Sequence, residues 1–193
     1  MYIAIEGIDT AGKSTQIEAL KSHFSDGVFT KEPGGSELGV KIRELVLHSD
    51  IKSPIAELFL FLADRAEHIE RVILNNTDSL IISDRSVISG VAYAMSSGVF
   101  DEQKIIELNR LATNNTLPDI SFILTLDRET LEYRLSQKSS DAIESRGVDY
   151  LLDIQQHLID SSKKMGIQTI TIDASKSIEN ITAEIIKKIE DSR

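Results

Sequence analysis

The feature that most constrains this chain is a glycine-rich segment near its N-terminus that fits the pattern G-x-x-x-x-G-K-[ST]. The apolar stretch Tyr2 to Glu6 before it predicts a strand, and Lys13 to His23 after it predicts a helix. In that context the backbone N–H groups of the loop and the helix N-terminus surround phosphate oxygens. The segment therefore predicts a phosphate-binding loop, here called the P-loop, made of Gly7, Ile8, Asp9, Thr10, Ala11, Gly12, Lys13, Ser14 and Thr15.

Two side chains of the P-loop have predicted roles toward a nucleoside triphosphate. Lys13 would bring a positive charge to the β and γ phosphates, and the Ser14 hydroxyl would ligate Mg²⁺. A neighbouring strand in such proteins commonly ends in an Asp that holds the water shell of the metal, and Asp84 follows the apolar stretch Leu80 to Ser83. Arg85 comes next and could bind a phosphate. The simpler alternative for Asp84 and Arg85 is a surface ion pair.

Five short apolar or β-branched stretches alternate with helical patterns along the chain. The predicted strands are Tyr2 to Glu6, Gly27 to Lys31, Ser79 to Ser83, Ile120 to Leu126 and Gln168 to Ile172. The predicted helices are Lys13 to His23, Ser36 to His48, Ser53 to Asn75, Ser86 to Ser96, Asp101 to Asn114, Glu129 to Gln137, Asp149 to Lys164 and Ile178 to Glu190. Strands separated by helices indicate an α/β fold with a five-stranded, mostly parallel sheet flanked by helices in three layers.

Length and composition narrow the class of protein. The 193 residues predict a single domain, 1–193, in which the polar stretch Ser136 to Gly147 is the one segment expected to move. A net charge of −10 disfavours nucleic-acid binding. The chain has no cysteine, no basic leader and no apolar run long enough for a membrane span, so we expect a cytoplasmic protein without a membrane partner.

Two functional classes fit a P-loop: a nucleotide-gated switch or motor, and a small-molecule phosphotransferase. A GTPase switch would carry an Asn-Lys-x-Asp segment, and the sequence has none. A motor ATPase stays open as the less favoured alternative. The phosphotransferase explains more residues, because Arg43, Arg65 and Arg85 lie in segments that a P-loop sheet could bring to one cleft.

Several segments, in order and over nearly the whole chain, resemble thymidylate kinases. They are Ile5 to Gly7 with the P-loop, Phe29 to Gly35 (FTKEPGG), Phe61 to Ala66 (FLADRA), Ser83 to Arg85, Ser89 to Tyr93 (SGVAY) and Ile172 to Ser175. The resemblance implies a P-loop kinase fold with a lid at about residues 136–147. It further implies transfer of the γ-phosphoryl group of ATP to dTMP, giving dTDP and ADP, with Mg²⁺ required, and a homodimer.

The resemblance also implies a role for each matching residue. Asp9 would face the sugar and phosphate end of the acceptor, and Arg43 and Arg85 would hold its phosphate. The base would stack on Phe61 and accept a hydrogen bond from Arg65. The remaining implied contacts are Gly90 for close approach of the base, Tyr93 against the sugar where a 2′-hydroxyl would sit, Ser89 beside them, Pro33 in a loop that shapes the acceptor site and allows a cis peptide bond, and Ala174 along adenine.

The sequence departs from the family pattern in its cations around the donor. Some relatives carry an arginine where this chain has Thr10, and others carry one where it has Ala142. The available replacements are Arg146, Lys138 and Arg134, of which Arg146 is preferred as a catalytic residue because it alone among the arginines lies within the polar stretch. The four histidines have no metal-ligand spacing and are expected to be structural or solvated.

The nearest alternative to a dTMP kinase is a deoxynucleoside kinase. That enzyme phosphorylates a sugar hydroxyl and therefore needs a carboxylate base, for which Glu6, Asp9 and Glu32 are the candidates.

Overall fold

A computed structural model describes residues 1–137 and 147–193 of the chain. It contains a sheet of five strands, all parallel, in the order β2-β3-β1-β4-β5. The strands are β1 (Tyr2–Gly7), β2 (Val28–Lys31), β3 (Ile81–Asp84), β4 (Ile120–Thr125) and β5 (Gln168–Asp173). The predicted α/β class and parallel sheet are confirmed, and each predicted strand is present within two residues of its expected bounds.

Eight α-helices connect and flank the strands in the described residues. They are α1 (Lys13–His23), α2 (Glu37–His48), α3 (Pro54–His68), α4 (Val87–Ser96), α5 (Glu102–Ala112), α6 (Arg128–Ser136), α7 (Val148–Met165) and α8 (Ile178–Glu190). Most begin where a short polar side chain accepts a hydrogen bond from the first turn, which satisfies a backbone N–H that has no partner within the helix. These capping residues are Ser36, Ser53, Ser86, Asp101, Asp127 and Ser177.

The long helix predicted from Ser53 to Asn75 is the one element that differs in kind. Helix α3 ends at His68, and the chain continues as a π-helical turn over Ile69–Ile73 and a 3₁₀ turn over Leu74–Asn76. The wider turn changes the helical phase, so that Ile69 and Ile73 both remain buried against β1 and β3.

The core fills both faces of the sheet. Ile5, Ile82 and Phe122 are completely buried at its centre. In the sequence of α8, four isoleucines recur at spacings of three, four and four residues, which predicts an apolar stripe that faces the core. Three of them, Ile181, Ile185 and Ile189, are buried in this core. The fourth, Ile178, is half exposed, so the expectation that it belongs to the core is wrong; it lies at the first position of the helix, next to the capping residue. In the described part of the chain, no helix is long and apolar enough to cross a membrane.

The topology determines where a ligand can bind. The chain leaves β1 for β2 and β3 on one side of the sheet and later adds β4 and β5 on the other, so the carboxyl end of β1 lies at the point where the strand order switches. In open α/β sheets, ligands bind in the crevice outside this point. The P-loop follows β1 directly and therefore lies in that crevice.

Candidate active site

The P-loop lies between β1 and α1, and its lysine is held at the mouth of the loop. Lys13 is buried, and its Nζ donates to the carbonyl oxygens of Gly7 at 2.9 Å and Ile8 at 3.0 Å, with Asp9 Oδ1 3.8 Å away. Gly7 has no room for a side chain, because a Cβ there would lie 2.9 Å from the carbonyl oxygen of Leu124 on β4. The loop can therefore follow the strand only with glycine at this position.

The environment of Lys13 lowers the pKa of its ammonium group from an ordinary 10.5 to about 8. Burial is the largest cause, and the positive charge of Arg85 adds to it, while Asp9, Asp84 and Glu6 act in the opposite direction. A buried cation with few counter-charges is poised to gain a negatively charged partner. This is the electrostatic condition for binding a triphosphate.

Arg85 connects the P-loop to helix α4. Its Nη2 donates to Asp9 Oδ1 at 2.7 Å, and its Nη1 donates to the Gly7 carbonyl at 3.2 Å and to Ser89 Oγ at 3.1 Å. The guanidinium also lies over the ring of Tyr93, 5.5 Å from the ring centre. The structure thus brings these predicted residues together, and the surface ion pair considered for Arg85 becomes a bridge within the site.

The backbone of Arg85 is strained in a way that the sequence does not reveal. Its φ angle is +70°, in the left-handed region that non-glycine residues rarely adopt, and Thr10 in the P-loop has a φ of +69°. Strain of this kind collects at functional sites because the surrounding structure must hold it in place. Here Ser83 Oγ donates to the carbonyl oxygen of Arg85, and the Arg85 amide donates to the carbonyl oxygen of Ile5.

A buried carboxylate, Glu6, supports Arg85 through Ser89. The sequence named Glu6 only as a candidate base of a deoxynucleoside kinase and did not predict this supporting role. Glu6 is completely buried and accepts hydrogen bonds from Ser86 Oγ at 2.7 Å and Ser89 Oγ at 2.5 Å. Burial raises the pKa of Glu6 above its usual value, although both serines oppose the shift. Ser89 accepts from Arg85 while donating to Glu6, so it links the two charges. A glutamate inside an otherwise apolar strand was the available signal, because a buried carboxylate requires donors.

Arg65, which the resemblance assigns to the base of the acceptor, is buried on α3. Its Nε donates to Glu32 Oε2 at 2.9 Å and its Nη1 to Asn109 Oδ1 at 2.6 Å. A Cβ on Gly90 would lie 2.3 Å from Arg65 Nη2, so the guanidinium occupies the space beside this glycine. That the base approaches Gly90 closely stays a prediction. Phe61 is half-buried one helical turn before Arg65, on the same side of α3.

The loop between β2 and α2 is held by two side chains from the neighbouring helices. Arg43 Nη1 donates to the carbonyl oxygen of Pro33 at 2.9 Å, and the Gly34 amide donates to Asp64 Oδ1 at 2.9 Å. The Glu32–Pro33 peptide bond is cis, which confirms the isomer that the resemblance allowed. Burial raises the pKa of Asp64, and the Gly34 amide opposes that shift. Arg43 is thus anchored to the loop between β2 and α2.

Ser14 and Asp84, the two predicted metal ligands, line one cleft of about 390 Å³ beside α1 and β2. Asp84 Oδ1 is buried and has no hydrogen-bond partner in the described residues. Within the same residues, no group of three or more His, Asp or Glu side chains could hold a metal by protein ligands alone. A single carboxylate and a hydroxyl suit a hydrated Mg²⁺, which keeps several waters and is completed by substrate phosphates.

The donor side of the P-loop is in contact with Arg134, near the end of α6. Its Nη1 donates to the Thr10 carbonyl oxygen at 2.9 Å and its Nη2 to the Ala174 carbonyl oxygen at 2.5 Å. Arg134 therefore joins the P-loop to the loop after β5, where the resemblance predicts the adenine. Arg146, the preferred cation, lies outside the described residues, as do Lys138 and Ala142 and most of the predicted lid.

Comparisons with known proteins agree with this geometry. The family model described as thymidylate kinase matches residues 5–185. The chain is 58% identical over 189 residues to a thymidylate kinase of Sulfurimonas denitrificans, covering 98% of this chain and 99% of that protein. It is 55% identical to a thymidylate kinase of Aliarcobacter butzleri, covering 99% and 97%. The crystal structure of thymidylate kinase from Ehrlichia chaffeensis superposes with a TM-score of 0.77 at 28% identity, covering 98% of each chain.

These matches run along the full chain and include every segment that forms the cleft. The parallel sheet, the P-loop at its switch point and the arginines opposite the P-loop occur together with that similarity. The chain is a member of the thymidylate kinase family.

Proposed function

We propose that this protein transfers the γ-phosphoryl group of ATP to dTMP, giving ADP and dTDP. The observation that carries the proposal is the bridge made by Arg85, which touches the P-loop through Asp9 and Gly7 and helix α4 through Ser89. One guanidinium thus lies between the donor site and the wall predicted for the acceptor. Two anionic nucleotides can meet only where fixed positive charge reduces their repulsion.

The reaction needs positioning and charge stabilisation rather than a strong base. A phosphate oxygen of dTMP attacks the γ phosphorus in line, and the bond from that phosphorus to the β–γ bridging oxygen breaks as ADP leaves. Lys13 binds the β and γ phosphates by exchanging its carbonyl partners for phosphate oxygens. Arg85 and Arg43 hold the attacking phosphate, and Asp9 keeps Arg85 in place from the P-loop side.

Mg²⁺ fits the side chains at this position, with Ser14 as ligand and Asp84 holding the water shell of the ion. The unpartnered Oδ1 of Asp84 supports this assignment, because a buried carboxylate oxygen without a donor is costly unless a ligand completes it. When bound, Mg²⁺ neutralises charge on the donor phosphates.

The base and sugar of dTMP are assigned to the α3 and α4 side of the cleft. Phe61 stacks on thymine, and Arg65 donates to a carbonyl of the base. Tyr93 packs against the deoxyribose, and its hydroxyl is buried with no hydrogen-bond partner in residues 1–137 and 147–193. Burial raises the pKa of Tyr93 to about 12, so this hydroxyl stays neutral. Pro33 shapes the entrance beside Arg43.

The donor nucleotide extends from the P-loop toward Ala174. Arg134 lies between the two and donates to a carbonyl oxygen of each, so among the described residues it is the candidate for the role that the sequence favoured for Arg146. The role of Arg146 and the lid over residues 136–147 remain predictions from the sequence. The assignment of residues 1–193 to a single domain is likewise a prediction.

None of the three carboxylates named as the base of a deoxynucleoside kinase is free of a partner. Glu6 accepts from two serines, Glu32 is paired with Arg65 and His68, and Asp9 is paired with Arg85. A general base must be within reach of the substrate proton and able to accept it. These three pairings favour an acceptor that arrives already charged, such as a monophosphate.

The homodimer is supported by an apolar face on α3. Ile55, Phe59, Ala63 and Ala66 recur at helical spacing, and all four are exposed, with Phe59 55% accessible. An apolar stripe of this size on one helix is typical of a surface that a second copy covers. Phe59→Glu should convert a dimer to a monomer in sedimentation velocity, whereas Ile178→Glu, at a residue 50% exposed on α8, should not. A monomeric parent chain would refute the dimer.

We place the enzyme in the cytoplasm, where ATP is available.

An acceptor panel tests the function directly. The chain is incubated with ATP and Mg²⁺ and, separately, with dTMP, dUMP, dCMP, dGMP or thymidine, and the phosphorylated product is separated by ion exchange. We expect dTDP as the main product and no product from thymidine. Lys13→Met should abolish transfer, while Lys188→Met, at an exposed lysine on α8, should not. Preference for thymidine, or steady ATP hydrolysis without transfer to any acceptor, would refute the proposal.

A further inference from the structure

A buried polar network surrounds Arg65 and fixes two of its three nitrogens. The side chains of Arg65 and Glu32 are only 4% and 3% exposed, and they are joined by a hydrogen bond of 2.9 Å from Nε to Oε2. Asn109 on α5 accepts from Nη1 at 2.6 Å and is completely buried. Charges removed from water in this way are tolerated only with close geometry and full hydrogen bonding.

The amide of Asn109 can face Arg65 in one orientation only. Its Nδ2 donates to the carbonyl oxygen of Ile105 at 2.8 Å, one turn earlier on α5, and this leaves Oδ1 toward the guanidinium. The reversed amide would place N–H groups against the guanidinium and an oxygen against a carbonyl. Asn109 is therefore an acceptor fixed by its own helix.

Glu32 is held equally firmly on the opposite side. Its Oε1 is 2.9 Å from His68 Nδ1, and His68 Nε2 is 2.7 Å from Thr30 Oγ1. Burial raises the pKa of Glu32, but the charge of Arg65 and the hydrogen bonds from His68 and Arg65 outweigh it and leave the pKa below its ordinary value. Because Glu32 is ionised, His68 must donate from Nδ1. The carboxylate cannot rotate without losing one of these bonds.

The third nitrogen of Arg65, Nη2, makes no hydrogen bond to residues 1–137 or 147–193. It lies against Gly90, where a Cβ would come within 2.3 Å, and Gly90 directly follows Ser89, which binds the phosphate-end arginine, Arg85. On α4, therefore, the residue that binds Arg85 and the residue that lies against Arg65 are adjacent in sequence. Nη2 is the nitrogen left to donate to a ligand in this cleft.

We propose that Asn109 and Glu32 are positioning residues that set the base specificity of the enzyme. By occupying Nη1 and Nε, they leave Nη2 of Arg65 as a fixed donor, and a fixed donor accepts a base with a carbonyl at position 4 and rejects one with an amino group there. The inference rests on the proposed function, in which Arg65 faces the base. Thymine and uracil present a carbonyl at this position, whereas cytosine would place its amino group, a donor, against the Nη2 donor of Arg65.

The test measures binding of dTMP and dCMP by calorimetry, without ATP, so that it does not depend on turnover. Asn109→Leu has a similar volume but no acceptor, which frees Nη1 and allows the guanidinium to rotate. We expect the affinity for dTMP to fall at least tenfold and that for dCMP to change less than threefold, so that the preference for dTMP collapses. Asn109→Asp keeps an acceptor for Nη1, and a proton on its other oxygen lets it donate to the Ile105 carbonyl, so this variant should retain the preference within threefold. If the leucine variant is unfolded by circular dichroism, Asn109→Ala carries the same expectation.

A control variant separates this role from a general effect of losing an asparagine. Asn76→Leu removes an asparagine that likewise donates to the carbonyl one turn earlier, Val72, but lies outside the cleft, and it should leave both affinities unchanged. A preference for dTMP that survives in both Asn109→Leu and Asn109→Ala, or that is lost equally in Asn109→Asp, overturns the inference.

The paired change Glu32→Gln with Arg65→Gln leaves no unpaired buried charge and tests the proposed role of Arg65 itself. If this double variant keeps the preference for dTMP, the base assignment in the proposed function fails. If it loses the preference while Asn109→Leu keeps it, only the positioning role fails.

Discussion

The lowered pKa of Lys13 predicts an alkaline limit to ATP use. In the free enzyme the ammonium group loses its proton near pH 8, because burial and the charge of Arg85 disfavour the charged form. The pH dependence of kcat/KM reports groups of the free enzyme. For a required cation with a pKa of about 8, kcat/KM for ATP should be level below pH 7 and fall about tenfold per pH unit above 8. A lysine with an ordinary pKa of 10.5 would give a level profile to beyond pH 9.

A variant tests whether the charges around Lys13 set this limit. Asp9 lies 3.8 Å from Nζ and is one of the groups that raise the pKa of Lys13. Asp9→Asn should move the midpoint of the profile to lower pH by about one unit, the order expected for removal of a close opposite charge. Asp26→Asn, an exposed carboxylate in the turn after α1, serves as the control and should leave the midpoint unchanged. Initial rates at limiting ATP and saturating dTMP, from pH 6.5 to 10, provide the measurement. A profile that is level to pH 9.5 in the parent, or a midpoint unmoved in Asp9→Asn, would refute the reasoning.

Three further predictions follow from contacts in the cleft. Lys13→Met should stabilise the fold by about 1 kcal/mol at pH 7 in urea unfolding, because relief of the pKa change from 10.5 to about 8 gives about 3 kcal/mol and the two lost hydrogen bonds offset about 2. The parent alone should gain stability between pH 8 and 10.5, where its unfolded chain binds the extra proton; equal pH dependence in both would contradict this. Gly90→Ala should displace the guanidinium of Arg65 and raise KM for dTMP at least tenfold with little change in KM for ATP, and a normal KM for dTMP would count against the close contact. Arg134→Gln should raise KM for ATP about tenfold through loss of two hydrogen bonds, with little change in KM for dTMP. Steady-state kinetics measures both constants, and an unchanged KM for ATP would contradict a role for this contact.

The sequence was sufficient to predict the elements of the fold because each has a local cause. Helix α1 has its predicted bounds, since it follows the second glycine of the P-loop, and α8 ends where its isoleucine stripe ends. The turn over Ile69–Ile73 could not be predicted in the same way. Whether the backbone widens there depends on how Ile69 and Ile73 fit against strands that are distant in sequence.

The candidate site, like the fold, could be predicted from the sequence only where it depends on local spacing. The P-loop and Asp84 are visible in the sequence because they follow strands, and their chemistry depends on local spacing. The partners of Arg65 and the buried support of Ser86 are not visible, because Glu32 and Asn109 meet Arg65 across 33 and 44 residues of chain and Glu6 meets Ser86 across 80. Only the fold brings these groups together, and only their burial shows that they must be paired.

The central claim is that the P-loop and the Arg65 end of one cleft bind two nucleotides with their phosphates facing. A crystal structure with adenosine and thymidine joined through five phosphates would test it most directly. We predict that the adenosine-side phosphates lie on residues 7–15 with Lys13 against them, and that thymine lies between Phe61 and the Nη2 of Arg65. Thymine bound away from Arg65, or phosphates bound away from the P-loop, would contradict the account.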